Sequence, residues 1–120
     1  MARDDCGPIE RILNATRYSL KGLCEGWRTQ PALRYEFYII LVAVPVAWFI
    51  GTNGSERALL IGSCLQVVVV ELINSAIETI VDRIGSEHHE LSGRAKDLGS
   101  AAVFFSIVLA AAVWLIVCVS

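Results

Sequence analysis

The stretch VVVVELINSAIE, residues 67–78, places the carboxylate of Glu71 directly after four valines. An ionised side chain inside a hydrocarbon segment costs about 3 kcal/mol or more, so such residues commonly mark functional sites. Helical periodicity puts five polar side chains in one sector about 100° wide, namely Glu71, Asn74, Ser75, Glu78 and Asp82. The spacing therefore predicts a polar stripe that begins inside an apolar helix and continues beyond its apolar part.

The position of this stripe along the helix suggests what it does. The run from Ala58 to Glu71 spans roughly 20 Å of helix, less than the roughly 30 Å of a bilayer core. We therefore expect Glu71 near one bilayer edge, where a carboxylate is suited to act as a general base. Glu78 lies about 10 Å further on, within reach of soluble reactants, and its oxygens suit magnesium. A polar contact between helices is the alternative interpretation, which would explain Asn74 and Ser75 alone.

The composition is that of a membrane protein with a single domain. The chain has 120 residues, of which 55% are hydrophobic, and its mean hydropathy is +0.58. A soluble domain of this size could not bury so much apolar surface. The net charge of −2 gives no support for nucleic-acid binding. The four cysteines form no CxxC pair, which argues against a disulfide framework or a zinc site.

Hydrophobic periodicity predicts an all-α membrane protein with one amphipathic surface helix and three transmembrane helices. The surface helix is expected over about 8–29, starting at Pro8 and ending before Pro31. Packing of this helix against other protein is an equally good interpretation. The spans are expected over about 34–51, 57–84 and 98–119. The whole chain, 1–120, then forms one membrane-embedded domain.

Positive charges predict how these spans are oriented. Six of the ten Lys and Arg residues precede the first span, and three lie between the second and third. Arg57 alone lies in the remaining loop. Because cytoplasmic loops carry the excess of Lys and Arg, the amino terminus is expected in the cytoplasm and the carboxyl terminus in the periplasm.

The segment GSEHHELSGRAKDLGS, residues 85–100, joins the second and third spans. Glu87, His88, His89 and Glu90 offer metal ligands, but their spacing matches no strong zinc pattern, so a solvated acidic turn is preferred. Arg94 and Lys96 are the two cations of this segment. They either contact phosphates or only mark the cytoplasmic side. The chain has no GxxxxGK[ST] motif and no protein-kinase motif.

Two stretches closely resemble the small prokaryotic diacylglycerol kinase family. ELINSAIETIVDRIGSEHHELSGRAKDLGSAAV, residues 71–103, resembles the family's most specific motif, and RYSLKGLCEGW, residues 17–27, resembles its surface-helix motif. With the three-span layout, the resemblance covers nearly the whole chain. The form GSEHHELSGRAKD is similar to the diacylglycerol branch, typical of Gram-negative inner membranes, rather than to the undecaprenol kinases.

The resemblance implies a homotrimer that transfers the γ-phosphate of ATP to diacylglycerol with Mg²⁺, giving phosphatidic acid. It implies that Glu71 is the catalytic base, that Asn74 lies beside it, and that Glu78 binds metal and nucleotide. Further nucleotide contacts are implied at Arg11, Tyr18, Gln30, Glu87, His88, His89, Lys96 and Asp97. Lipid contacts are implied at Glu71 and at Ala15, Thr16, Tyr18, Ser19, Leu20, Trp27, Ala32, Arg34, Glu36, Arg57 and Ser100.

One metal position departs from the family pattern. This chain has Gln30 where the family has a second glutamate, at the end of the surface helix. Glutamine offers a carbonyl oxygen without a charge, so Gln30 and Glu78 together are expected to hold Mg²⁺ more weakly.

The expected mechanism is direct in-line transfer. Glu71 takes the lipid hydroxyl proton, while Mg²⁺, Glu78 and Lys96 hold and neutralise the phosphates.

Three alternatives stay open. They are an undecaprenol kinase, a small ion-coupled transporter with Glu71 as proton carrier, and a weakened relative retained as a membrane scaffold.

Overall fold

Four helices make up nearly all of the described chain. The computed structural model describes residues 7–85, 87 and 89–120. In chain order the helices are α1 (Pro8–Thr29), α2 (Pro31–Ile50), α3 (Gly54–Ile84) and α4 (Glu90–Val119). These described residues contain no strand, so the predicted all-α architecture is confirmed.

The first helix is surface-like, as predicted. Pro8 lies in its first turn, where the missing N–H of proline costs no hydrogen bond. None of the residues of α1 is buried, and apolar side chains such as Ile9 and Leu13 are mostly exposed. Its main packing partner within the chain is α2. The apolar side of α1 is therefore left for a membrane or for another protein surface to cover.

Gln30 forms the corner between α1 and α2. Its backbone is extended (φ −119°, ψ 97°), and its N–H donates to the carbonyl of Gly26 at 2.8 Å. Pro31 then occupies the first turn of α2, because proline fits there but would disrupt the interior of a continuous helix. The predicted boundary at Pro31 therefore separates two helices.

The other three helices are long and apolar enough to cross a membrane. Each begins before the corresponding apolar segment, and the difference is largest for α4, which starts at Glu90 rather than near Leu98. A helix continues past its apolar part because its backbone hydrogen bonds do not depend on side-chain polarity. The polar ends of α3 and α4 thus extend well beyond the hydrocarbon-like region.

The chain covers little of its own apolar surface. Among the described residues, the buried apolar core consists of Leu33, Ala47, Leu60 and Val81. Large side chains on all three long helices are exposed, including Phe49, Ile73 and Phe105. Because soluble monomers rarely expose apolar patches of this extent, three such helices require a bilayer around them. The protein is a membrane protein.

Two side-chain hydrogen bonds join α3 to α4 within their apolar parts. Gln66 Nε2 donates to the carbonyl of Ser106 at 2.7 Å, and Trp114 Nε1 donates to the carbonyl of Leu60 at 3.1 Å. Such bonds between membrane helices are worth about 0.6–2 kcal/mol each. The α3–α4 pair is also the most extensively packed pair in the chain. Together these contacts fix how far α4 is shifted along α3.

Candidate active site

The residues with predicted catalytic roles lie on the packed face of α3. Glu71 and Asn74 are each only 7% exposed, and Glu78 is partly buried. Residues three, four and seven positions apart share one side of a helix. A carboxylate, an amide and a second carboxylate therefore form a continuous polar row along α3, which we call the acidic row.

Asn74 is held between Glu78 and α4. Its Nδ2 donates to Glu78 Oε1 at 3.3 Å. Its Oδ1 is buried and has no hydrogen-bond partner within the described residues. That oxygen lies against the backbone of Gly99, where a Cβ would overlap it. The amide therefore presents its N–H group to Glu78 and its oxygen to α4.

Gly99 is a candidate functional residue, one of the glycines at 85, 93 and 99 that the sequence offers for close backbone approach. It is buried on α4, and its missing Cβ lets the α4 backbone approach the Asn74 side chain. The sequence carries a partial signal, because Gly99 begins the small-residue run GSAA and small residues allow close approach of membrane helices. That signal does not identify the residue on the opposite helix.

Glu36 brings a third acidic side chain to this region from α2. It lies within electrostatic range of Glu71, which in turn lies within range of Glu78. The Oε2 atom of Glu36 is buried and without a hydrogen-bond partner in the described part of the chain. Because unpaired buried polar atoms are costly, this region favours the binding of hydrogen-bond donors from a ligand.

A fixed positive charge lies at the polar end of the acidic row. Lys96 Nζ donates to Asp82 Oδ1 at 2.8 Å, and Lys96 precedes the uncharged part of α4 that begins at Leu98. This hydrogen bond, with the charges of Asp82 and Glu78, raises the pKa of Lys96, so the side chain stays a cation at physiological pH. Lys96 is thus placed to meet an anionic ligand beside Glu78.

A cleft of about 460 Å³ separates α1 from α3. Its walls include Ser19 and Gln30 on the α1 side and Ser75 and Thr79 on α3. Ser75 Oγ is buried and lacks a hydrogen-bond partner among the residues described. The cleft is therefore open space for a ligand on the side of α3 that carries Ser75 and Thr79.

Most of the other residues with predicted contacts on α1 lie on its exposed surface, namely Arg11, Ala15, Thr16, Tyr18, Leu20 and Trp27. Trp27 packs edge-on against Phe37 and Tyr38 of α2, with ring centroids 5.6 and 5.7 Å apart. Ser19 lines the cleft and so connects this part of α1 to the acidic row.

Arg57 lies far from the acidic row. It is fourteen residues before Glu71 on α3, about 21 Å along the helix. Its Nε donates to the carbonyl of Trp48 at 3.0 Å, and its guanidinium carbon lies 4.4 Å from the centroid of the Trp48 ring. The structure therefore does not bring Arg57 together with Glu71 within one chain.

The remaining residues with predicted contacts lie on α2, on α4 and in the connection between α3 and α4. Glu87 is exposed in the connection between α3 and α4. His89 caps α4, because its Nδ1 accepts a hydrogen bond from the N–H of Leu91 at 3.1 Å. Arg34 is partly buried, and three others are exposed, namely Ala32, Asp97 and Ser100. His88 lies outside the described residues.

Comparison with known proteins identifies the family. Residues 17–118 match the family model described as prokaryotic diacylglycerol kinase. A diacylglycerol kinase of Escherichia coli (strain K12) is 49% identical over 116 residues, which cover 97% of this chain and 94% of that protein. Diacylglycerol kinases of Haemophilus influenzae and Pseudomonas aeruginosa are each 45% identical over 106 residues, covering 88% of this chain and 90% and 86% of those proteins. The family model and these relatives match the chain over most of its length. The chain therefore belongs to the prokaryotic diacylglycerol kinase family.

Proposed function

We propose that this protein phosphorylates diacylglycerol with ATP, making phosphatidic acid at the cytoplasmic face of the bacterial inner membrane. The observation that carries the proposal is the position of Glu71, buried beside Asn74 where the apolar part of α3 approaches its polar end. Membership of the family supports lipid-kinase chemistry. At such a position, a lipid hydroxyl can arrive from the bilayer and a phosphate donor from the water.

Glu71 is the proposed general base. The lipid hydroxyl oxygen attacks the γ-phosphorus of ATP, and Glu71 takes the hydroxyl proton. A new O–P bond forms to the lipid while the O–P bond to ADP breaks, so no covalent enzyme intermediate is needed. The burial of Glu71 supports this role, because excluding water strengthens the electrostatic interactions of the transition state.

Asn74 is the proposed positioning group for Glu78. Its Nδ2 hydrogen bond to Glu78 Oε1 and its contact with Gly99 support this role. A carboxylate held in one place can bind a metal ion or its waters without losing side-chain freedom at each turnover. In this proposal, the contact between α3 and α4 sets the position of the phosphate-binding end of the site.

The oxygen donors of Glu78 and Gln30 are of the kind that magnesium prefers. Glu78 offers a carboxylate, and Gln30 lines the cleft with a side chain that offers a carbonyl oxygen. Proteins commonly bind Mg²⁺ through one or two oxygens, with waters and substrate phosphates as the other ligands. Across residues 7–85, 87 and 89–120, no group of three or more His, Cys, Asp or Glu side chains could hold a metal. When bound, the ion would neutralise charge on the β- and γ-phosphates.

The nucleotide is proposed to lie at the polar ends of α3 and α4. Lys96 supports this placement, because it holds a permanent positive charge there, paired with Asp82. The other proposed nucleotide contacts are Arg11, Tyr18, Gln30, Glu87, His88, His89 and Asp97.

A homotrimer is proposed because most of the α1 residues with expected lipid or nucleotide contacts are exposed within one chain. Residues on the exposed side of α1, such as Arg11 and Trp27, could then complete the site of a neighbouring subunit. The proposed orientation keeps α1 and the α3–α4 connection in the cytoplasm and the carboxyl terminus in the periplasm, in accord with the distribution of Lys and Arg.

The test is phosphate transfer from labelled ATP to diacylglycerol in mixed micelles, with undecaprenol as the rival acceptor and Mg²⁺ titrated. Wild type should label diacylglycerol, and Glu71→Gln should lower the rate by about 10²–10⁴-fold, the usual contribution of a general base. Glu56→Gln is the matched control, because it makes the same change near the opposite end of α3. Preferential labelling of undecaprenol, or full activity of Glu71→Gln, would overturn the proposal.

A further inference from the structure

An ion pair links the polar ends of α3 and α4. The Lys96 ammonium of α4 donates to Asp82 Oδ1 of α3 at 2.8 Å, and the two residues are fourteen positions apart in the chain. By contrast, Arg94 pairs with Glu90 of its own helix, at 3.7 Å. The Asp82–Lys96 pair therefore sets the position of a charge on one helix relative to the other helix.

Folding stability gives little reason for a carboxylate at position 82. Asp82 lies in the last turn of α3, which ends at Ile84, and a negative charge there meets the partial negative charge of a helix carboxyl end. The side chain of Asp82 is 67% exposed and that of Lys96 is 45% exposed, and exposed ion pairs add little to stability. The place at which Asp82 holds Lys96 is thus a better explanation of this residue than stability.

Lys96 lies within electrostatic range of a second carboxylate, that of Glu78. Asp82 follows Glu78 by four residues on the same side of α3, about 6 Å along the axis. In the described chain the ammonium pairs with Asp82, whereas Glu78 Oε1 accepts from Asn74. A lysine side chain is long and flexible. Without Asp82, the ammonium would therefore be drawn to Glu78.

An ammonium paired with Glu78 would weaken the phosphate end of the site in two ways. It would neutralise the carboxylate that is proposed to bind the metal, and carboxylate charge is what makes such a ligand strong for a hard cation. It would also place the positive charge of Lys96 away from the phosphates. Paired with Asp82, the ammonium uses one of its three N–H donors and keeps two for a phosphate group.

We propose that Asp82 is a positioning residue that holds the Lys96 ammonium away from Glu78, which leaves Glu78 available to a divalent cation and Lys96 available to a phosphate group. The inference rests on the proposed function, because the cation and the phosphate belong to the nucleotide of that reaction. Asp82 acts only through Lys96 and touches neither ligand. Its role depends on the packing of α3 against α4, which brings the polar ends of these helices side by side.

Binding of Mn²⁺ without nucleotide tests this role apart from catalysis, with the loss of the free-ion EPR signal as the readout. Asp82→Ala should weaken Mn²⁺ binding about tenfold, a usual loss when a residue that supports a metal ligand is removed. Glu90→Ala is the matched control, because it breaks the ion pair with Arg94, and it should bind Mn²⁺ like wild type. Equal affinities of wild type and Asp82→Ala would overturn the proposal.

Removal of Lys96 distinguishes positioning from other roles of Asp82. In the double variant Asp82→Ala, Lys96→Gln, no ammonium is left to pair with Glu78. Its affinity for Mn²⁺ should therefore return to that of Lys96→Gln alone. If Asp82 were itself a metal ligand, or only held the helices together, the double variant would bind Mn²⁺ as weakly as Asp82→Ala, and that result would overturn the proposal.

Kinetics and thermal unfolding complete the test. Asp82→Ala should raise the KM for ATP several-fold, with the KM for dioctanoylglycerol and the unfolding midpoint unchanged; an equal rise in both KM values would contradict a role at the phosphate end. If Asp82→Ala does not fold, Asp82→Asn removes the charge and keeps an acceptor, and it should show the same changes to a smaller degree. If wild type transfers no phosphate, the kinase proposal falls, while Mn²⁺ binding by the variants still decides the role of Asp82.

Discussion

Gly99 of α4 lies against the side-chain oxygen of Asn74 on α3, and a Cβ at position 99 would overlap that atom. The same Asn74 side chain donates to Glu78 Oε1 through its nitrogen. A backbone position on one helix therefore controls an amide on the next helix, and the amide in turn controls a carboxylate. A residue with no functional group of its own thus contributes to the geometry of the proposed site.

Gly99→Ala should lower kcat by about 10²-fold, because a displacement of about 1 Å in a catalytic arrangement costs that much. The added methyl group must push Asn74 away from Glu78 or separate α4 from α3. Overpacking of this kind also destabilises by about 1–3 kcal/mol. Steady-state kinetics with Mg²⁺ titrated, together with thermal unfolding in detergent, measure both effects.

Gly93→Ala is the matched control on the same helix, since a Cβ there meets nothing within 4 Å. It should leave kcat unchanged and stabilise by up to about 1 kcal/mol through helix propensity. Gly99→Ala combined with Asn74→Ser should regain stability without regaining activity. Wild-type kinetics in Gly99→Ala alone would show that the position of Asn74 does not matter.

Gln30→Glu should lower the magnesium concentration needed for half-maximal activity, because a carboxylate binds the ion more strongly than a carbonyl oxygen. Gln30 lies at the corner between α1 and α2 and lines the cleft beside α3. Cys24→Glu adds the same charge at an exposed position of α1 that does not line the cleft, and it controls for a general electrostatic effect. An unchanged or increased magnesium requirement in Gln30→Glu would contradict the assignment of Gln30 to the metal.

Lys96→Gln should raise the KM for ATP about tenfold or more, since a charge-assisted hydrogen bond to phosphate is lost. Its ion pair with Asp82 is exposed, and exposed pairs contribute only about 0–1 kcal/mol to folding. The midpoint of thermal unfolding should therefore change little. Arg83→Gln removes a neighbouring cation from the end of α3 and should leave the KM for ATP unchanged. Equal effects of the two variants would point to general surface charge rather than to Lys96.

Gln66→Met should lower the free energy of unfolding by about 0.6–2 kcal/mol, because it removes the hydrogen bond to the Ser106 carbonyl inside the apolar region. Leu65→Met, on the exposed neighbouring position, should change stability by less. Denaturation in mixed micelles measures the difference. A Gln66→Met protein as stable as wild type would show that this bond does not help to hold α3 against α4.

The apolar periodicity was sufficient to predict four helices and the placement of Glu71, Asn74 and Glu78 on one face. Helical spacing depends only on residues that are close in sequence, so it can be recognised in the sequence of a single chain. The helix boundary at Pro31 was also predictable, because the proline ring itself restricts the backbone and removes an N–H donor.

The partners across helices were not predictable from spacing. Gly99 meets Asn74, and Gln66 meets Ser106, because of how far α4 is shifted along α3. That shift depends on the packing of many side chains at once, whereas each sequence motif describes only one segment of the chain. For the same reason, the sequence could suggest a phosphate contact for Lys96, which stays a prediction, but could not show its ion pair with Asp82.

The two hydrogen bonds between the apolar parts of α3 and α4 also bear on how the protein is made. The ribosome synthesises α3 first, so Gln66 enters the bilayer before Ser106 exists, and Leu60 before Trp114. Until α4 inserts, the α3 donor Gln66 lacks its cross-helix acceptor. When α4 inserts beside α3 as the second helix of a hairpin, the Ser106 carbonyl becomes available to Gln66. A chain truncated before α4 would therefore leave in the membrane a helix in which the Gln66 amide keeps its bond to the Ser63 carbonyl but lacks its second acceptor.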